Sequence, residues 1–168
     1  MRRLTLLLAI VLGGTLVLPA AQAATRARKM TIEVLSLTRV TIPHDRPPKG
    51  KENKGDWLEY KDSLLTTGPL FGKTKKNQPI GWDAGTQTFT SPTTIRLRGE
   101  ATFPGQGTIR FRGALKSLPN GSSSVPVIGG TGRFTGARGL LVLGKPFGPN
   151  EIESINTYRI RLPGGPVA

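Results

Sequence analysis

Along most of the chain apolar and polar residues alternate with the period of a β-strand rather than of a helix. The cleanest stretch is Thr93 to Phe103, where Ile95, Leu97, Ala101 and Phe103 oppose Thr94, Arg96, Arg98, Glu100 and Thr102. After the tight Pro104-Gly-Gln-Gly107 connection the pattern resumes, with Ile109 and Phe111 on one side and Thr108, Arg110 and Arg112 on the other. These two runs predict a hairpin. Upstream, Met30 to Ile42 is rich in β-branched residues but mixes parities: Ile32, Val34, Val40 and Ile42 on one, Leu35 and Leu37 on the other. That mixture predicts a long strand that carries a bulge or is covered on both faces.

Asp56 to Leu65 predicts another strand, with Leu58, Tyr60, Asp62 and Leu64 sharing a face. A carboxylate among apolar neighbours needs a partner or a raised pKa, which marks Asp62. Pro79 to Gly85 is a short apolar piece broken by glycines, followed by Thr86 to Thr90. Val125 to Ile128 runs into the glycine-dense turn Gly129 to Gly139 and leaves it as Leu140 to Leu143. The last strand spans Ile152 to Leu162, with Asn156, Tyr158, Ile160 and Leu162 on one parity.

About eight β segments with turn signals between them, and no helical period beyond the first residues, predict an all-β fold. A meander of this size removes its edges most economically by closing, so the expected architecture is an eight-stranded antiparallel β-barrel, with an open sandwich as the alternative. A barrel of that size has room inside for one small ligand.

Composition changes the picture at the N-terminus. Arg2 and Arg3, an apolar run from Leu4 to Leu18 and the small residues Ala21-Gln-Ala23 have the three parts of a secretory signal. An N-terminal membrane anchor is the alternative reading of the same run. The expected layout is a signal at 1–23, a basic disordered linker at 24–29, one barrel domain at 30–162 and a tail at 163–168. The product would be secreted, and not an integral membrane protein once the signal is cleaved.

Without Arg2 and Arg3 the chain keeps 22 of its 24 basic residues against 10 acids, a net charge of +12. Such an excess attracts polyanions, which outside a cell means anionic wall or matrix polymers more than any specific nucleic acid. Arg96, Arg98, Arg110 and Arg112 would project from one face of the predicted hairpin, as a basic outer surface or as an anion-binding wall. There is no cysteine, so no disulfide staples the fold. His44 is the sole histidine and lies in a charged stretch, which argues against a metal site or a Ser-His triad.

The run Gly129-Gly-Thr-Gly-Arg-Phe-Thr-Gly-Ala-Arg-Gly139 resembles the glycine-rich signature of dirigent proteins and of the wider group sharing the allene oxide cyclase barrel. The order around it is similar too: Gly55-Asp56 opening a strand, a glycine-rich hairpin from Gly99 to Gly113, and a closing strand with Asn156 and Tyr158. The resemblance covers Met30 to Leu162 and implies an eight-stranded barrel, usually trimeric, with an apolar cavity open at one end. It also implies a small hydrophobic or aromatic ligand, held so that its cyclisation or coupling is steered, without a cofactor.

The resemblance places the arginine of Ala-Arg-Gly, Arg138, at the pocket, and the ligand-binding set then comprises Arg138, Asp62, Tyr60, Tyr158 and Phe134. Two departures stand out. Arg133 occupies the position where lignan-forming dirigent proteins carry an aspartate, and Val34 to Thr41 lacks the acid expected on the first strand. Asp62 and Tyr60 are the substitutes the chain offers. The competing reading is a non-enzymatic extracellular protein in which the barrel is a scaffold and the basic surface binds the polymer.

Overall fold

The computed structural model describes residues 27–47, 53–91, 93–148, 150 and 152–164. The expected signal at 1–23 lies outside them, as do most of the expected linker and tail. Nine strands form one sheet: β1 (Arg28–His44), β2 (Trp57–Thr66), β3 (Pro79–Ser91), β4 (Thr94–Phe103), β5 (Gly107–Ala114), β6 (Lys116–Ser117), β7 (Ser123–Gly130), β8 (Arg138–Leu143) and β9 (Glu153–Leu162). The order is β5-β4-β3-β2-β1-β9-β8-β7-β6, every pair is antiparallel, and an additional β5–β7 pairing closes the sheet. The two-residue β6 pairs with the same edge of β7 as β5 does, so it continues the β5 line and the barrel has eight staves.

Alternation decides what faces inward. On β4 and β5 the buried set is Leu97, Ala101, Phe103, Ile109 and Phe111, while Arg96, Arg98, Arg110 and Arg112 are exposed outside. Because the side-chain period is two, an inserted residue turns a strand over. β1 has such an insertion, a register shift between Thr38 and Val40. Before it Ile32, Val34 and Ser36 are buried inside; after it Val40 and Ile42 are 45% and 46% exposed. The mixed parity of this segment is the signature of that bulge. β1 also starts earlier than expected, so that Arg28 and Lys29 of the predicted linker are strand.

The two ends of the barrel differ. At one end the β2–β3, β4–β5 and β7–β8 connections gather Phe71, Phe103 and Phe134 edge to face or tilted, with centroids 5.3 to 6.2 Å apart, and Tyr158 joins Phe103 at 6.0 Å. Phe103, Phe134 and Tyr158 are fully buried, and pairs of this geometry add about 0.5–1.5 kcal/mol each beyond the area they bury. The glycine-dense corner makes this closure possible: Gly132–Phe134 forms a single 3-10 turn that drops Phe134 into the end of the barrel.

The other end carries the β1–β2, β3–β4, β5–β7 and β8–β9 connections. There the inward residues Leu58, Tyr60, Gln87, Phe89, Ile95 and Ser154 are only partly buried. Among the described residues the interior is therefore fully buried at the corner end and only partly buried toward the other. At its rim His44 stacks on Trp57, 3.6 Å between centroids and 7° from parallel. Asp56 accepts from the backbone N–H groups of Arg46 and Asn53 at 2.9 and 2.6 Å, pinning the long loop. Among the described residues no helix is long and apolar enough to cross a membrane.

Candidate active site

Inside the barrel, where the fully buried end gives way to the partly buried one, four ionisable side chains meet. β2 and β3 pair so that Asp62 lies directly opposite Asp83, and one step along Tyr60 lies opposite Gly85. β3 and β4 in turn set Gly85 opposite Gly99. Two bare backbone positions side by side leave the space that Tyr60 and Phe111 fill. A β-carbon on Gly99 would stand 2.6 Å from both the Tyr60 hydroxyl and the Phe111 ring.

From the far wall, Tyr158 on β9 donates its hydroxyl to Asp83 Oδ2 at 3.4 Å, between two fully enclosed side chains. Ser36 on β1 donates to Asp62 Oδ2 at 2.9 Å. Asp62 Oδ1 and Asp83 Oδ1 are both buried without a hydrogen-bond partner. Buried acceptors of this kind are costly to leave open, and they cluster where a structure expects a proton or a ligand.

The electrostatics follow from burial. Desolvation, then the Asp62 carboxylate beside it, pushes the Asp83 carboxyl up to about 8, with the Tyr158 hydrogen bond pulling the other way. Asp62 is also raised, by desolvation, against hydrogen bonds from Ser36 and Thr38. Both phenols are raised, Tyr60 and Tyr158 alike, by desolvation first and by the Asp83 carboxylate second. Burial thus favours the protonated form of Asp83, whose Oδ2 accepts from Tyr158 and whose Oδ1 is left as the place for a proton. Two carboxyls facing each other with raised affinity for protons are the arrangement that acid–base chemistry requires.

Of the residues singled out in the sequence, Asp62, Tyr60 and Tyr158 come together here. Phe134 does not: it is buried in the aromatic closure. Arg138 lies outside the barrel, exposed, where its guanidinium donates to the carbonyls of Ile128 and Ala137 and ties the glycine-rich corner. Arg133 is exposed on the same corner, donating to the Gln106 side chain at 3.0 Å and lying 5.9 Å from the Phe71 ring centre. Arg96, Arg98, Arg110 and Arg112 are all outside.

No hydrophobic pattern marks Asp83 in the sequence, because the glycines on either side of it break the alternation. The signal was there: in Gly81-Trp-Asp-Ala-Gly85 the aspartate shares a parity with two glycines, so reading the piece as strand puts it on the inner wall.

A scan against protein-family models gave no match, and a search of the curated proteins gave none either. Solved structures do match. A pyocyanin demethylase superposes with a TM-score of 0.59 at 20% identity, over 77% of this chain and 99% of that one. The pterocarpan synthase dirigent protein GePTS1 gives 0.61 at 17% identity, over 84% of this chain and 89% of that one. A nonspecific heme-binding cyclase of neoabyssomicin biosynthesis gives 0.60 at 18% identity, over 81% of this chain and 64% of that one. At these identities the likeness is one of fold: this chain has the barrel of the dirigent and cyclase proteins.

Proposed function

We propose that the barrel takes up a small hydrophobic or aromatic molecule through its open end and steers its cyclisation or stereoselective coupling, with Asp62 and Asp83 as the acid–base pair at the floor. The observation that carries this reading is the pair itself: two carboxyls opposite each other on the inner wall, each with one buried oxygen that has no partner. A folded chain does not retain two open, desolvated acids for stability, since an apolar pair of similar size would serve it better.

Asp62 and Tyr60 are only partly buried and are the first polar groups a molecule from the open end would meet; Asp83 and Tyr158 lie behind them, enclosed. Asp62 Oδ1 would accept the proton of a ligand hydroxyl. The neutral Asp83 beside it, still holding its own proton, would stabilise the charge that develops by sharing it. The walls exclude water and limit the conformations of the guest, a mode of catalysis by positioning that suits a barrel. The fold's occurrence in a demethylase, a dirigent protein and a cyclase agrees with a small-molecule role. Export through the N-terminal signal and a trimeric assembly belong to the same proposal.

The test is native mass spectrometry of the exported protein for a co-purifying small molecule, together with fluorescence titration by anilinonaphthalene sulfonate. Wild type should bind the dye, with Asp62→Asn and Tyr60→Leu shifting its affinity at least threefold and Arg138→Ala leaving it unchanged. If Arg138→Ala removed binding while Asp62→Asn did not, the site would lie outside the barrel and the reading would fail.

A further inference from the structure

The outer wall of the barrel carries a feature independent of its interior. Lys29 on β1 is in register with Arg161 on β9, and Arg161 with Arg138 on β8, so three cations stand side by side on adjacent strands. The rank does not stop at β8. Arg110 on β5 pairs with Gly129 on β7, and a β-carbon on Gly129 would lie 3.2 Å from Arg110 Nη2 and 3.5 Å from Arg138 Nη1. The two guanidinium groups close over the same bare backbone position. One unbroken rank therefore crosses β5, β7, β8, β9 and β1, five of the eight staves, a path of about 20 Å at a strand spacing of about 4.8 Å.

A second rank, two residues along, adds Arg98 opposite Arg112 and, beyond the exposed Leu140, Arg159. Shallow grooves of about 510 and 570 Å³ lie along these ranks. Like charges at cross-strand distance repel, and that repulsion needs relief from solvent or from bound anions. Glu100 on β4 stands opposite Arg110 and ends the rank on that side, while Arg138, Arg161 and Lys29 neighbour one another in register with no acid between them.

We infer that this belt is a binding site for a linear, flexible acidic polysaccharide wound part of the way around the barrel. Curvature excludes a bilayer, because a plane touches a cylinder along one or two staves and this rank spans five. Double-stranded nucleic acid is too stiff to follow so tight a curve. Single-stranded nucleic acid is held by aromatic side chains stacked on its bases, and the two ranks contain none. What remains is a polymer with an anion on each repeat and a bendable chain. Guanidinium groups, which six of the seven residues of the two ranks carry, match its carboxylates or sulfates in forked geometry.

The test uses the full exported chain and polygalacturonate, followed by calorimetry at several salt concentrations. The double variant Arg110→Ser, Arg161→Ser removes two members of the first rank and spares Arg138, which ties the corner. It should weaken binding at least tenfold and lower the salt dependence of log K by about two charges, as counterion release scales with charges neutralised. A charge-matched control, Lys73→Ser with Lys76→Ser in the β2–β3 connection, should change affinity less than threefold, with thermal melts confirming that both variants fold. Equal loss in the control would overturn the proposal in favour of diffuse net charge. So would phosphatidylglycerol vesicles or an oligothymidylate binding wild type as tightly as the polysaccharide does.

Discussion

Asp62 on β2 and Asp83 on β3 face each other across a single strand pairing inside the barrel, and burial gives both a raised affinity for protons. This has a thermodynamic consequence that needs no ligand. Between the ordinary aspartate range near 3.8 and its folded value of about 8, Asp83 holds a proton in the folded chain that the unfolded chain has released. Stability must therefore fall as pH rises through that window, by up to about 1.4 kcal/mol per pH unit for one proton, and level off above it. Asp62, shifted in the same direction, adds to the fall. In Asp83→Asn the slope should flatten and the variant should overtake wild type near pH 8. Urea unfolding from pH 4.5 to 8.5 measures this, and an unchanged slope would refute the assignment.

Tyr158→Phe keeps the ring that packs at 6.0 Å from Phe103 and removes only the hydroxyl donated to Asp83. At pH 5, where Asp83 is neutral, the loss should cost about 1 kcal/mol. Because that hydrogen bond lowers the Asp83 pKa, its removal should extend the falling limb of the stability profile to higher pH. The two effects are read from one set of denaturation curves.

How much of this was legible in the sequence depended on which physical rule governed each segment. The hairpin of β4 and β5 was read residue by residue, because one face is core and the other water, which forces strict alternation. The inward turn of Asp62, Tyr60, Tyr158 and Asn156 followed from parity in the same way. Asp83 escaped because β3 buys interior space with glycines rather than with hydrophobic side chains, so its inner face carries no apolar signal. Arg138 shows the other limit: parity to Leu141 would have placed it outside, and the resemblance placed it at the pocket. Convergence across strands far apart in sequence, such as Arg110 with Arg138, is set by barrel closure and by a missing side chain at Gly129, which no local pattern encodes.

Gly99→Ala should destabilise the barrel by about 1–3 kcal/mol, since the new methyl would overlap both the Tyr60 hydroxyl and the Phe111 ring in a packed interior. Gly68→Ala, with nothing within 4 Å of the added carbon, is the matched control and should be close to neutral. Thermal melting of the two variants separates a demand for space at one glycine from the general effect of replacing glycine.

Phe134→Ala should cost about 3–5 kcal/mol, because the ring is fully buried and touches Phe71 and Phe103 at the closed end. The variant should also gain a second route to the interior. Faster amide hydrogen exchange at the inner end of β4 and β9, at a temperature where the variant remains folded, would reveal it.

On the proposed function, that aromatic closure would leave the barrel one entrance. A guest and its successor could then not pass each other, and departure would have to be complete before the next arrival. Any turnover would run in strict alternation, and a product that resembles its precursor would compete with it directly. The three phenylalanines, joined to the carboxyls only through Tyr158, would in this way set the kinetic order of events at a site they do not touch.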